Sequence, residues 1–225
     1  MTLKQKDFIE IEFTGKTEDG EVFDSNVKED LDELHKEHNH DHEHSHESKP
    51  FVFCLGEGMF LKGVEDFIIG KLIPSKPTEY LIELPPEKAF GIRNNQLIKI
   101  IPMKLFRENN INPIKGATFN FDGRIAKIIS ISGGRIIVDF NNPVAGKKVF
   151  YKIKILRKVD DLNEKTKAMI NFLFRRDLKF EIKDKKLILE IEKPFRQFTE
   201  LFSEKLKDVL GLELEIKEIE QNKEK

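Results

Sequence analysis

From Phe8 through Ile9, Ile11 and Phe13 apolar residues alternate with charged ones, and Asp19-Gly20 then turns the chain toward Val22 and Phe23. Alternation of period two marks a strand with one buried face, and Asp-Gly supplies the positive φ that a tight hairpin needs. The same pattern recurs along the chain. Phe51 to Leu55 reads as a strand, and Lys76 to Leu84 as another, ended by Pro85-Pro86. Leu97, Ile98, Ile100 and Ile101 form a run stopped by Pro102. Thr118 to Phe121, Asp122-Gly123 and Arg124 to Ile131 spell a hairpin, and Gly133-Gly134 leads into Arg135 to Phe140. Helical spacing is brief here: Leu61, Val64, Glu65 and Ile68, closed by Gly70, and a turn at Leu105-Phe106.

Beyond Leu156 the period changes. Leu162, Thr166, Met169, Ile170, Leu173 and Phe174 recur at helical spacing, and Phe180, Ile182, Leu187, Leu189 and Ile191 make a hairpin around Asp184-Lys185. Pro194 suits the first turn of a single helix to residue 210, with Phe195, Phe198, Leu201, Phe202, Leu206 and Val209 on its apolar face and Gly211 as cap. Leu212, Leu214 and Ile216 alternate as a last strand. The pattern is that of an α+β protein. Residues 27–50 break it with an acidic, His-rich insertion. The strand-rich stretch 92–138 leaves its host at Gly91 and returns near Asp139, an insertion whose two ends meet.

Composition removes several functions. With 39 basic against 40 acidic residues the net charge is −1, which gives no electrostatic drive toward nucleic acid or an anionic membrane. No apolar run is long enough to span a bilayer, and the N-terminus lacks the apolar core of a signal peptide. One cysteine, Cys54, cannot form an internal disulfide and reads as a small core residue, which fits a reducing cytoplasm.

The chemistry points to a site without a nucleophile. A bulky aromatic, Phe23, sits beside a lone carboxylate, Asp24, just after the turn, and the Phe51 strand brings further aromatics. An apolar cup with one acidic rim group suits a reaction that breaks no covalent bond. Four segments then carry a resemblance: Phe13-Thr14-Gly15 through Asp24-Ser25, Leu55-Gly56-Glu57-Gly58 through Glu65, Pro85-Pro86-Glu87-Lys88-Ala89-Phe90-Gly91, and Val138-Asp139-Phe140-Asn141-Asn142-Pro143-Val144-Ala145-Gly146. In this order and spacing the chain resembles the FKBP-type prolyl isomerases, in the long SlyD-like and archaeal form that carries an inserted chaperone flap.

That resemblance, which covers the first 156 residues, implies an antiparallel half-barrel wrapped on a short helix (residues 1–91 plus 139–156) and an inserted mainly-β flap domain (92–138). Residues 157–225 lie beyond it and read as a C-terminal α+β module whose small core favours homodimerisation over a third independent activity. It implies a catalytic group of Asp24, Phe23, Phe13, Phe90 and Tyr151, with Phe51, Phe60, Leu61 and Val64 holding the substrate. Ile98, Ile100, Ile101, Met103, Leu105 and Phe106 are the flap's candidates for gripping unfolded chains, or else its own small core. Partners are unfolded polypeptides with Xaa-Pro bonds, and no cofactor is required. Tyr is usual in the family at positions 13 and 90, Trp at 64 and His at 142, where this chain has Phe13, Phe90, Val64 and Asn142. A wider, drier cup with modest activity follows. His35, His38, His40, His42, His44 and His46 could gather zinc or nickel, or form a solvated loop. A non-catalytic holdase or a metal-storage protein is the alternative reading.

Overall fold

The computed structural model describes residues 1–31, 48–121 and 123–219. They form a mixed α+β chain with mostly antiparallel sheets and few helices, divided into two compact units. The first unit comprises Met1–Lys16, Val22–Ile82 and Phe150–Lys225; the second comprises Thr17–Glu21 and Glu83–Val149.

The first unit is organised by a five-stranded sheet of β1 (Phe8–Thr17), β2 (Val22–Ser25), β3 (Phe51–Cys54), β4 (Thr78–Leu84) and β9 (Val149–Val159). The order is β2-β1-β9-β4, with β3 also paired to β1. On β9 the side chains of Tyr151, Ile153 and Ile155 point inward and are buried. At the alternate positions Lys152 pairs across strands with Glu79 at 3.2 Å and Lys154 with Glu12 at 2.8 Å, and further along Arg157 pairs with Glu10 at 2.6 Å. Opposite charges facing each other across neighbouring strands pin the register of a sheet whose other face is apolar. Helix α1 (Lys62–Ile68) buries Gly63, Val64, Glu65 and Ile68.

The C-terminal part of this unit has its own three-stranded sheet, β10 (Phe180–Lys183), β11 (Lys186–Glu192) and β12 (Glu213–Ile219), in the order β10-β11-β12. Helix α3 (Leu162–Phe174) is capped by Asp161, whose carboxylate accepts the Glu164 N–H at 2.8 Å. Its Ile170 packs with Leu189 and Ile191 of the sheet, and α3 also packs against β3. Because β12 runs parallel to β11, the connection between them must be a crossover, which helices supply.

That crossover is not the single helix that the spacing of residues 194–210 predicts. It is a single 3-10 turn (Lys193–Phe195), a short helix α4 (Arg196–Glu200) and a separate helix α5 (Ser203–Leu210). Thr199 is fully buried, and its hydroxyl donates to the Phe195 carbonyl at 2.9 Å. A hydroxyl bonded back to the carbonyl four residues earlier bends a helix. The next backbone bond tightens to i→i−3, from Phe202 N–H to the Thr199 carbonyl at 3.1 Å, and the helix restarts at Ser203.

The second unit holds a four-stranded antiparallel sheet in the order β5-β8-β7-β6, from β5 (Ile98–Pro102), β6 (Thr118–Phe121), β7 (Arg124–Ser132) and β8 (Arg135–Asp139). Helix α2 (Met103–Glu108) lays Phe106 onto a core of Ala126, Ile128, Ile136 and Val138. The two strands of chain that lead in and out are tied together. Asn141 accepts the Asn94 N–H at 2.8 Å and donates to the Asn94 carbonyl at 3.0 Å, and Gly146 N–H reaches the Gly91 carbonyl at 2.8 Å. Arg93 pairs with Asp139 in the same stem.

Candidate active site

The aromatic cup is built around β1 in the first unit. Phe13 projects from β1 to the buried side of the sheet, and Tyr151 reaches the same place from β9. Phe60, in the loop before α1, packs on both: its ring centroid lies 4.9 Å from that of Phe13 and 5.5 Å from that of Tyr151, edge-on in each case. Phe51 closes the group from β3, 6.3 Å from Phe13 and 5.9 Å from Phe60. Edge-to-face rings of this kind fit one another without a polar partner. Phe13 and Tyr151 are buried, whereas Phe23, Asp24, Phe51, Phe60 and Leu61 are half-exposed. The first two form a floor and the others a rim.

The strand pair β1–β2 explains how two adjacent residues serve one site. In a regular strand Phe23 and Asp24 would point to opposite faces. The register shifts here: Gly15 pairs with Asp24 and Lys16 with Val22, which leaves Phe23 as the extra residue of a β-bulge. A bulge re-aims side chains. As a result the Phe23 ring stands edge-on to Tyr151 at 5.7 Å, and the Tyr151 hydroxyl donates to Asp24 Oδ2 at 3.3 Å. Gly15 makes the room. A Cβ at that position would lie 2.8 Å from Phe23 Cζ and 3.0 Å from Tyr151 Cε1.

Electrostatics follow from burial. Asp24 is held above the ordinary carboxylate range because burial disfavours its charge, and the Tyr151 hydroxyl offsets part of that. Tyr151 is pushed up as well, first by burial and then by the charge of Asp24. Cys54 is buried with its thiol pushed up to about 12, chiefly by burial, which makes it inert packing.

Two supports, Glu65 and Asn26, went unseen in the sequence. Glu65 is buried on α1, and its carboxylate accepts backbone N–H groups from Gly56 at 2.8 Å, Gly58 at 3.3 Å and Phe60 at 2.8 Å. It thereby shapes the loop that carries Phe60 and Leu61. The signal was a carboxylate on the apolar face of a helix just after Gly-Glu-Gly. Asn26 accepts the Phe13 N–H at 2.7 Å and donates to the carbonyls of Ile11 and Lys49, so it fastens both ends of the His-rich insertion to β1. Phe53 stacks on Phe51 at 5.5 Å, as residues two apart on a strand do.

The structure therefore brings Phe13, Phe23, Asp24, Phe51, Phe60 and Tyr151 together, with Leu61 capping α1 and Val64 buried in its first turn. Phe90 belongs to the second unit, where it is half-buried after the single turn Pro86–Lys88. Of the flap candidates, Phe106 is fully buried in the second unit's own core and Ile101 and Met103 pack against it. Ile98 is half-buried, while Ile100 is 64% and Leu105 43% exposed. His35, His38, His40, His42, His44 and His46 lie outside the described residues, and among the described residues no cluster of metal-ligating side chains occurs. No helix among the described residues is long and apolar enough to cross a membrane.

Residues 99–144 match the family profile described as "FKBP26, IF domain". The chain is 30% identical over 153 residues to the short-type peptidyl-prolyl cis-trans isomerase of Methanocaldococcus jannaschii, spanning 68% of this chain and 92% of that protein. It is 34% identical over 113 residues to the FKBP-type 16 kDa peptidyl-prolyl cis-trans isomerase of Escherichia coli, covering 48% and 73%. To the FKBP-type isomerase SlyD of Aeromonas hydrophila it is 26% identical over 151 residues, covering 65% and 60%.

Proposed function

This chain belongs to the FKBP-type peptidyl-prolyl cis–trans isomerases, and we propose that it speeds proline-limited folding at the Phe13–Tyr151 cup while holding unfolded polypeptide with its inserted unit. The planar Xaa-Pro amide is a strong dipole, and twisting it out of plane against a barrier of about 18–20 kcal/mol destroys that dipole. Moving the bond from water into a dry aromatic cup therefore disfavours the planar ground state more than the twisted transition state. In this reading Phe13, Tyr151 and Phe60 hold the proline ring. Asp24 faces the turning amide from the rim, and Tyr151 holds that carboxylate in place. Leu61, at the start of α1, contributes its backbone N–H to the substrate carbonyl. Val64 closes the base.

The bulge that sends both Phe23 and Asp24 to Tyr151 carries this reading. The test is turnover of a blocked tetrapeptide with one Xaa-Pro bond. Phe23→Ala and Asp24→Asn should each cut kcat/KM by about tenfold or more. Wild-type rates in both variants would leave the cup without a role.

The inserted 92–138 unit is read as a flap whose grip lies on the face away from Phe106. There Ile100 and Ile125 are 64% and 65% exposed, and Ile137 stands between β5 and β7. An apolar sheet face with charged neighbours holds unfolded segments weakly and releases them. The C-terminal residues 157–225, as a dimerisation module, would pair through exposed Phe195, Phe198 and Leu201. Mass measured by light scattering across a concentration series checks that pairing, and a monomer at all concentrations rules it out.

A further inference from the structure

A groove of about 550 Å³ runs between β3 and helix α3 in the first unit. Its lining is apolar along Pro50, Phe51, Val52 and Met59 on one side and Ala168 and Phe172 on the other. Phe51 belongs to both places, because its ring also packs with Phe13 and Phe60 in the cup. The groove and the site where the prolyl bond is to turn therefore share Phe51.

Its β3 wall has a strand edge with no partner among the described residues. Among the described residues β3 pairs only with β1, in the register Cys54 to Phe8, Phe53 to Ile9, Val52 to Glu10 and Phe51 to Ile11. The next pair, Leu55 and Asp7, is joined by the Leu55 N–H to the Asp7 carbonyl at 2.9 Å. Ladder bonds of an antiparallel pair fall on alternate residues, so Phe53 and Phe51 face β1 while Cys54 and Val52 face away. The Cys54 N–H accordingly meets Met59 Sδ at 3.2 Å. At Val52, which lines the groove, the N–H and C=O are likewise turned away from β1.

We propose that this groove is a subsite for the extended polypeptide that flanks the proline in the cup. This rests on the reading of the cup as the catalytic site. Backbone groups of an edge strand pair with any extended chain regardless of its sequence. An enzyme that acts on many unfolded chains needs that indifference. The apolar floor selects aliphatic or aromatic side chains. The charged lining mixes both signs, Lys49, Arg157, Lys167 and Arg175 with Glu10, Glu164 and Asp177, so a strongly charged segment of either sign gains little. The C-terminal residues supply one whole wall through α3, which gives them a part in substrate binding.

The test compares two substrates, the blocked tetrapeptide and a longer peptide with the same Xaa-Pro core flanked by apolar residues. Ala168→Arg fills the groove without opposing the helix. It should leave tetrapeptide turnover unchanged and lower kcat/KM on the longer peptide by about tenfold, mainly through KM. Phe172→Ala, which removes part of the floor, should act in the same direction. The backbone amides of Val52 and Ala168 should shift in NMR spectra of the full chain when the longer peptide is added and stay still with the tetrapeptide. Equal effects of both variants on the two substrates, or unmoved amides, overturn the subsite. So does loss of a dimer in Ala168→Arg, which would make the groove an interface between copies. Failure of the cup reading looks different: Asp24→Asn and Phe23→Ala would then leave the tetrapeptide rate untouched.

Discussion

Asp24 shows how a single carboxyl can be tuned by one neighbour and by burial acting in opposite directions. Burial raises its pKa and the Tyr151 hydroxyl lowers it. Tyr151→Phe removes only the lowering contact, so the Asp24 titration, followed by its carboxyl carbon in NMR, should move further up. No movement, or a fall, would mean that the 3.3 Å hydrogen bond is not what holds the charged form. The sign for stability follows. A carboxyl with a raised folded-state pKa adds stability below its unfolded value of about 3.9 and loses it as pH rises through the folded value. Asp24→Asn should therefore melt at the same temperature as wild type or higher at pH 7, and the difference should shrink toward pH 4. Gly15 is the other residue on which the cup depends. A methyl group there has no room against Phe23 and Tyr151, so Gly15→Ala should cost about 1–3 kcal/mol in denaturant unfolding and depress tetrapeptide turnover. The adjacency of Phe23 and Asp24 was legible in the sequence. The bulge that turns adjacency into a shared target was not, because register is decided by pairing with β1.

Elements were legible wherever one period held for several residues. The alternation in β1, the Gly-Gly turn after β7 and the face of α3 all follow from local pattern. What failed was continuity. Residues 194–210 keep a helical apolar spacing throughout, yet the buried Thr199 hydroxyl bends the chain and splits α4 from α5. A spacing count sees which residues face inward and not which hydroxyl back-bonds. The loop before α1 has the same lesson in another form. Three backbone N–H groups converge on Glu65, a buried acid that periodicity counts as one more inward position. Glu65→Ala leaves those donors without their acceptor, so about 3 kcal/mol of stability should be lost, and Phe60 should lose its fixed place. Glu65→Gln keeps one acceptor oxygen and should lie between the two. Denaturant midpoints of all three, paired with tetrapeptide kcat/KM, measure this. An alanine variant with wild-type stability would show that solvent takes over the loop.

At the scale of the whole molecule, the proposed function asks the chain to separate a chemistry that needs dryness from a capture surface that needs exposure. The cup's floor is buried, while Ile100 and Ile125 in the second unit are open to solvent. One surface cannot be both, and an insertion solves the conflict because its ends lie side by side. Asn94 and Asn141 hold each other through paired hydrogen bonds, and Gly91 meets Gly146 below them. The sheet beyond that stem has its own core around Phe106, so removing it takes away no residue of the cup. Joining Asn94 to Asn141 through a short Gly-rich link should therefore leave the first unit folded and spare tetrapeptide turnover. Catalysis of a proline-limited refolding reaction should fall by about tenfold or more, because captured chain no longer raises the local concentration of prolines at the cup. Ile100→Lys with Ile125→Lys, which keeps the sheet and spoils only its outer face, should reproduce most of that loss. Refolding rates that survive both changes would move the capture of unfolded chain elsewhere, with the groove beside β3 and α3 the next surface to block.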